Sequence, residues 1–183
     1  LVVEDDENTS SLIALYLERE GFSPVAAGDG EMALTLARKH KPDLVIQKLT
    51  ELGVDHMIPI ITERSIVRWD GDKGAKNQVR WQKIAREAAM QSRSVFVPTI
   101  HDVCPSIEKF VETYGPNVTV TDPEGSALTA DVSTLVIGPE GGFTHQEMDL
   151  MPKRVSLPGG ILRAETAAVA AGVMLSHMRS QHG

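Results

Sequence analysis

The sequence predicts an α/β protein, a parallel sheet flanked by helices, and three observations predict it. Short apolar strand-like runs alternate with stretches of helical period along the chain, the rhythm of parallel α/β sheets. Hydrophobic residues make up 42% of the 183 residues but aromatic ones only 4%, so the core must be aliphatic. Cores rich in Val, Ile, Leu and Ala suit parallel strands covered by helices. Two glycine-rich loops each follow an apolar run, and ligands of open α/β sheets bind at such strand ends.

The elements follow in order. LVV opens the chain as a short strand, and Asn8 or Thr9 can cap a helix with Leu12, Ile13, Tyr16 and Leu17 on one face. Gly21 closes that helix. Residues 24–27 read as a second strand, and Asp29-Gly30 as a turn. Ala33, Leu36 and Ala37 mark a second helix that ends near Pro42. Residues 44–46 admit two readings. A buried strand preserves the alternation and is favoured; one helix with Val45, Leu49 and Leu52 at i, i+4 and i+7 is the alternative. HMIPI, VFVPTI, TLVIG and RVSLP are further strands. A helix over 77–91 carries Trp81, Ile84, Ala85, Ala88 and Ala89 at the helical period, after an exposed loop over 70–76. Thr144 and Glu147 form a capping box. The last helix, about 164–179, is crowded with small residues that permit close packing.

The composition narrows the functional classes. A single cysteine, Cys104, cannot form an internal disulfide, which points to a reducing, cytoplasmic setting. No apolar run approaches the roughly 20 residues of a membrane helix. No secretory signal opens the chain, and Leu1 in place of Met leads us to expect a start inside a longer protein. The net charge of −7 disfavours a broad nucleic-acid surface, yet the acidity is uneven. Residues 1–46 hold nine acids and four bases, and the remainder 16 and 14, which hints at two sources for the chain. The six histidines lack metal-ligand spacing, so no metal is expected; His101, His145, His177 and His182 read as surface residues.

Chemistry concentrates in IGPEGGF (137–143) and LPGGILRAETA (157–167). Gly138, Gly141 and Gly142 allow a sharp turn and close approach to a ligand. Arg163, Glu165 and Thr166 fall where a helix begins, a place suited to polar recognition. Neither loop matches the phosphate-binding glycine fingerprints.

From about residue 43 to 178 the runs DLVIQKLTELGVD, PIITERS, RWQKIAREAAMQS, VIGPEGGF and ILRAETAA resemble the ribosomal RNA small subunit methyltransferase E family of the SPOUT superfamily. The resemblance implies a SPOUT-type fold with a C-terminal trefoil knot, a homodimer formed through it, and S-adenosyl-L-methionine as cofactor. It implies methylation of ring nitrogen 3 of a uridine in 16S ribosomal RNA. Ile137, Gly138, Pro139, Glu140, Gly141 and Gly142 of the first loop would wrap the cofactor. Leu157, Gly160, Ile161 and Leu162 of the second, with Thr166, would complete the wrap. Arg163 and Glu165 would lie near the methyl group and the uracil. Arg64 would face the same cleft, touching RNA or pairing with an acid, and with it Glu63, Glu87 and Gln91; a solvated helix face is the alternative for Glu87.

Residues 1–46 resemble instead the first half of a flavodoxin-like response-regulator receiver domain, β-α-β-α-β, with Glu4 and Asp5 as its acidic pair. Gln47, Lys48 and Leu49 stand where that family carries its phosphate-accepting aspartate, so phosphorelay should be absent. The seam suggests an engineered chimera. Residues 47–183 would be the methyltransferase part, lacking an N-terminal RNA-binding barrel and joined with the first part in one composite domain. The alternatives are an inert chimeric scaffold and a receiver-type signalling module.

Overall fold

The computed structural model describes residues 1–21, 24–65, 71–115 and 117–181. The chain divides into two compact units, Leu1–Leu44 and Val45–Gly183. Asp70 of the expected loop and His182 lie outside the described residues.

The first unit holds β1 (Val2–Val3), α1 (Glu7–Arg19) and β2 (Ala26–Ala27), with β1 and β2 parallel. Asp6, not Asn8 or Thr9, caps α1, accepting the Thr9 backbone N–H at 2.7 Å. That bond holds the Asp6 carboxyl below its ordinary range, with the Thr9 side chain adding to it. Leu12, Ile13 and Tyr16, expected to face a core, are exposed, because two strands of two residues offer little apolar surface to cover them.

Helix α2 (Gly30–Glu51) overturns two expectations. It does not end at Pro42, and residues 44–46 are helical, so the third receiver-like strand is replaced by helix. Proline inside a helix costs about 3 kcal/mol. Burial at the helix's far end offsets this: Ile46, with Leu49 beside it, packs among Met57, Trp81, Ala85 and Ile100.

The second unit continues with β3 (His56–Met57), α3 (Gly71–Gln91), β4 (Thr99–Ile100), α4 (Ile107–Tyr114), β5 (Thr119–Ala127), β6 (Leu135–Val136), α5 (His145–Asp149), β7 (Lys153–Ser156) and α6 (Ala164–Ser180). All its strand pairs among the described residues are parallel: β3 with β4, and a three-stranded sheet in the order β6-β5-β7. The α/β class therefore holds, with parallel sheets flanked by helices.

Several strands are shorter than their apolar runs. Of VFVPTI only the end pairs, and Val95, Phe96 and Val97 stand exposed. Residues 71–76 are the first turns of α3 rather than loop, with Asp72 placed favourably in the first turn. Along α3, Trp81, Ala85, Ala88 and Ala89 are buried at the spacing expected. Gln78 and Gln82 fasten the helix to β4, the Gln82 side chain donating to the Pro98 carbonyl and accepting from the Ile100 N–H. Helix α4 and strand β5 were not anticipated. Phe110 and Ile107 of α4 pack with Val118, Val120, Val136 and Met151 into a buried cluster that carries the three-stranded sheet.

Candidate functional site

The site grows from the carboxyl ends of β6 and β7. After β6 the chain enters IGPEGGF, where Gly142 adopts a positive φ of 66° and its N–H closes a turn onto the Pro139 carbonyl at 2.8 Å. Thr144 then caps α5 in a full capping box with Glu147. Glu147 is only 4% exposed, and one of its oxygens takes the Thr144 N–H at 2.9 Å. Its other oxygen reaches across 84 residues to the Glu63 N–H, also at 2.9 Å. Beside it, the Arg64 guanidinium donates to the Gly141 carbonyl at 3.0 Å. The segment TERS and the first glycine loop are thus fastened at two points.

After β7 the second loop turns through Gly159 and Gly160, with φ of 100° and 78°. Leu157 packs against the cluster of Leu128, Val132 and Val155, while Ile161 is 91% exposed. Arg163 then caps α6 with its backbone, and its side chain makes no capping bond.

A cavity of about 250 Å³ lies between the two loops. Ile137, Gly138, Pro139, Glu140 and Gly142 line it from the first loop, with Phe143 beside them. Leu157, Gly160, Ile161 and Leu162 line it from the second, and Ala164 and Ala167 from α6. Two residues expected at the cofactor, Gly141 and Thr166, are not part of its wall. Gly141 faces Arg64 instead, and Thr166 is exposed on α6.

Of the residues expected to act on the substrate, Glu165 is half-buried in the first turn of α6 and Arg163 is exposed at its start. Both stand next to the lining residue Ala164. Arg64 meets a partner the sequence did not suggest, the carbonyl of a loop residue. Glu87 belongs to the solvated face of α3, 3.7 Å from Lys83, and Gln91 is exposed near the end of that helix. The described residues contain no group of three or more metal-ligating side chains. His56 Nδ1 and His101 Nε2, 45 positions apart, lie 3.1 Å from each other at the surface.

Sequence reasoning missed the third wall. Thr121, Asp122 and Pro123 of β5 also line the cavity. Strand β5 pairs with β7 up to Thr121 and resumes at Ser126, both opposite Val155, so residues 122–125 bulge out of the ladder. Gly125 closes the bulge: a Cβ there would stand 2.5 Å from the Val155 nitrogen, a separation only glycine permits. DPEG is a turn-like signal, but nothing local says that it opens toward a loop 15 residues later.

A cavity lined mostly by apolar and glycine residues of two loops, with few ionisable side chains, suits a small ligand with an apolar part. The described helices are none of them long and apolar enough to cross a membrane. Residues 29–176 match the family model of the RNA methyltransferase domain. Ribosomal RNA small subunit methyltransferase E of Bacillus subtilis is 35% identical over 167 residues, covering 80% of this chain and 64% of that protein. The enzyme of the same name from Mycobacterium bovis is 30% identical over 185 residues, covering 92% of this chain and 70% of its own. The fold is similar to that of ribosomal RNA small subunit methyltransferase E from Neisseria gonorrhoeae bound to S-adenosyl methionine, with a TM-score of 0.65 and 30% identity. That likeness covers 75% of this chain and 61% of the other. The chain thus spans less than two thirds of some of the proteins it matches, but the match to the family model takes in both glycine loops and the helices that hold them: this chain belongs to the RNA methyltransferase domain family.

Proposed function

We propose that this chain is an S-adenosylmethionine-dependent ribosomal RNA methyltransferase domain whose cofactor sits between the two glycine loops. The single observation that carries the reading is their convergence on one cavity, with nine residues expected at the cofactor in its wall. Family membership and the cofactor-bound relative from N. gonorrhoeae support it. When bound, the sulfonium supplies an activated methyl group. The chain's own task is then alignment, which can contribute much of a rate enhancement. Backbone groups of 137–142 and 157–162 would hold the adenosyl part, with Thr166, exposed in the first turn of α6, completing the cofactor site. Glu165 is the candidate for taking the uracil ring proton, and Arg163 for stabilising the anion that remains. Arg64 acts by holding the Gly141 carbonyl and so the shape of the first loop.

The resemblance extends the proposal to a uridine ring nitrogen 3 in 16S ribosomal RNA, to a C-terminal trefoil knot, to a homodimer built on it, and to a cytoplasmic enzyme. For the first quarter we propose a receiver-like half with no signalling role, in an engineered fusion. The parallel β1 and β2 joined by α1 within Leu1–Leu44 support it. The family match reaches back to residue 29, so any seam would lie before α2 and the receiver-like part would be shorter than the first 46 residues.

Calorimetry with S-adenosylmethionine should give saturable heat that Gly141→Val removes. A Cβ at Gly141 already comes within 3.3 Å of the Arg64 Cβ, and valine adds bulk there. Labelled methyl transfer to 16S ribosomal RNA or to small subunits then tests turnover. Absence of heat at millimolar cofactor would leave a fold without the enzyme, the inert scaffold.

A further inference from the structure

We infer that Asp122 sets the charge preference of this cavity, making it select a cationic adenosyl ligand over the neutral molecule left when the methyl has gone. The inference rests on the methyltransferase reading and adds to it a residue and a discrimination. Among the residues lining the cavity only Asp122 and Glu140 ionise, and both are acids. Glu140 is exposed at the loop tip, whereas the Asp122 side chain is only 14% exposed. The bulge of residues 122–125 takes Asp122 out of the β5–β7 ladder and onto the cavity wall.

Its carboxylate is fixed on both oxygens. One accepts the Glu124 N–H at 2.9 Å and the other the Arg154 guanidinium at 3.3 Å. Arg154 is 43% exposed and not part of the cavity wall, so water screens its charge more than that of Asp122. Each carboxylate oxygen has a second lone pair, which leaves acceptor capacity beyond these two bonds. A negative charge at an apolar wall favours a positive ligand by more than it would in water. S-adenosylmethionine and S-adenosylhomocysteine share every hydrogen-bonding group and differ in one methyl and one positive charge. A site that reads only adenine, ribose and the amino-acid tail would bind them alike. One with Asp122 in its wall binds the sulfonium better and lets the neutral product go.

The test is the ratio of the two dissociation constants, product over cofactor, measured by calorimetry on the full chain. Asp122→Asn keeps an oxygen for the Glu124 N–H and removes the charge; it should lower the ratio by about five- to tenfold, through weaker S-adenosylmethionine binding. Arg154→Gln unmasks the carboxylate and should raise the ratio, an opposite change that misfolding does not imitate. Raising salt should shrink both effects. Equal weakening of both ligands by Asp122→Asn, or a ratio unmoved in both variants, overturns the inference while leaving the cofactor site intact. Wild-type protein that binds neither ligand overturns the site and the inference together.

Discussion

The two glycine loops differ in how they are held. The first is braced from a distance: Glu147 ties its far end to the Glu63 N–H, and Arg64 grips the Gly141 carbonyl. The second owes its course to its own torsions at Gly159 and Gly160, and to Leu157, which packs on the same apolar cluster as Met174 and Leu175. Ile161 at its tip projects into solvent. One wall of the cavity is therefore built before any ligand arrives, and the other has surface to gain on binding. A pocket with one preformed wall limits the ordering cost of binding to the second.

Cutting the brace should have the largest effect. Glu147→Leu leaves the Glu63 and Thr144 N–H groups without their acceptor at a half-buried place, and removes half of the capping box. The expected loss is about 3 kcal/mol, from one to three for each stranded group. In a chain of this size that lowers the melting temperature by roughly 6–12 °C, which calorimetry reads directly. Glu147→Gln keeps one acceptor oxygen and should lose less than half as much. Equal melting temperatures for wild type and Glu147→Leu would mean that the first loop stands without its brace.

The second loop should respond to a change in torsion instead. Gly160→Ala places a Cβ in open space, so crowding contributes nothing, yet φ stays at 78°. The left-handed conformation costs a non-glycine residue about 1–2 kcal/mol. We expect a melting temperature lowered by roughly 2–8 °C and weaker cofactor binding. The same substitution with no loss in either measurement would show that this turn readjusts at no cost.

These two loops also divide what was legible in the sequence from what was not. Each announced itself locally, as glycines after an apolar run, and the capping box of Thr144 and Glu147 was readable because its parts are three residues apart. The contacts that turn the loops into a site are not local. Arg64 and Gly141 are separated by 77 positions, and no pattern near either names the other. Asp122 reaches the cavity through a bulge, a feature of register between two strands that neither strand encodes alone. Helix α4 could have been found, since Ser106 caps it and Ile107, Phe110 and Val111 follow at helical spacing. Helix α2 ran against a sound local rule at Pro42, and the burial of Ile46 in a cluster drawn from α3 and two strands decided the outcome.

The smallest effect on the fold separates the two walls most cleanly. Ile161 is 91% exposed, so Ile161→Ala removes almost no buried surface, and stability should change by less than about 0.5 kcal/mol. The side chain nevertheless lines the cavity, and a bound adenosyl group that draws the second loop inward would cover it. Full burial of such a chain is worth about 1.5–3 kcal/mol, and covering half of it would strengthen binding by roughly three- to tenfold. Ile161→Ala should therefore weaken S-adenosylmethionine binding by that factor at an unchanged melting temperature. Affinity equal to wild type would mean that the tip stays in water when the site fills, and that the second loop is as complete in the free protein as the first.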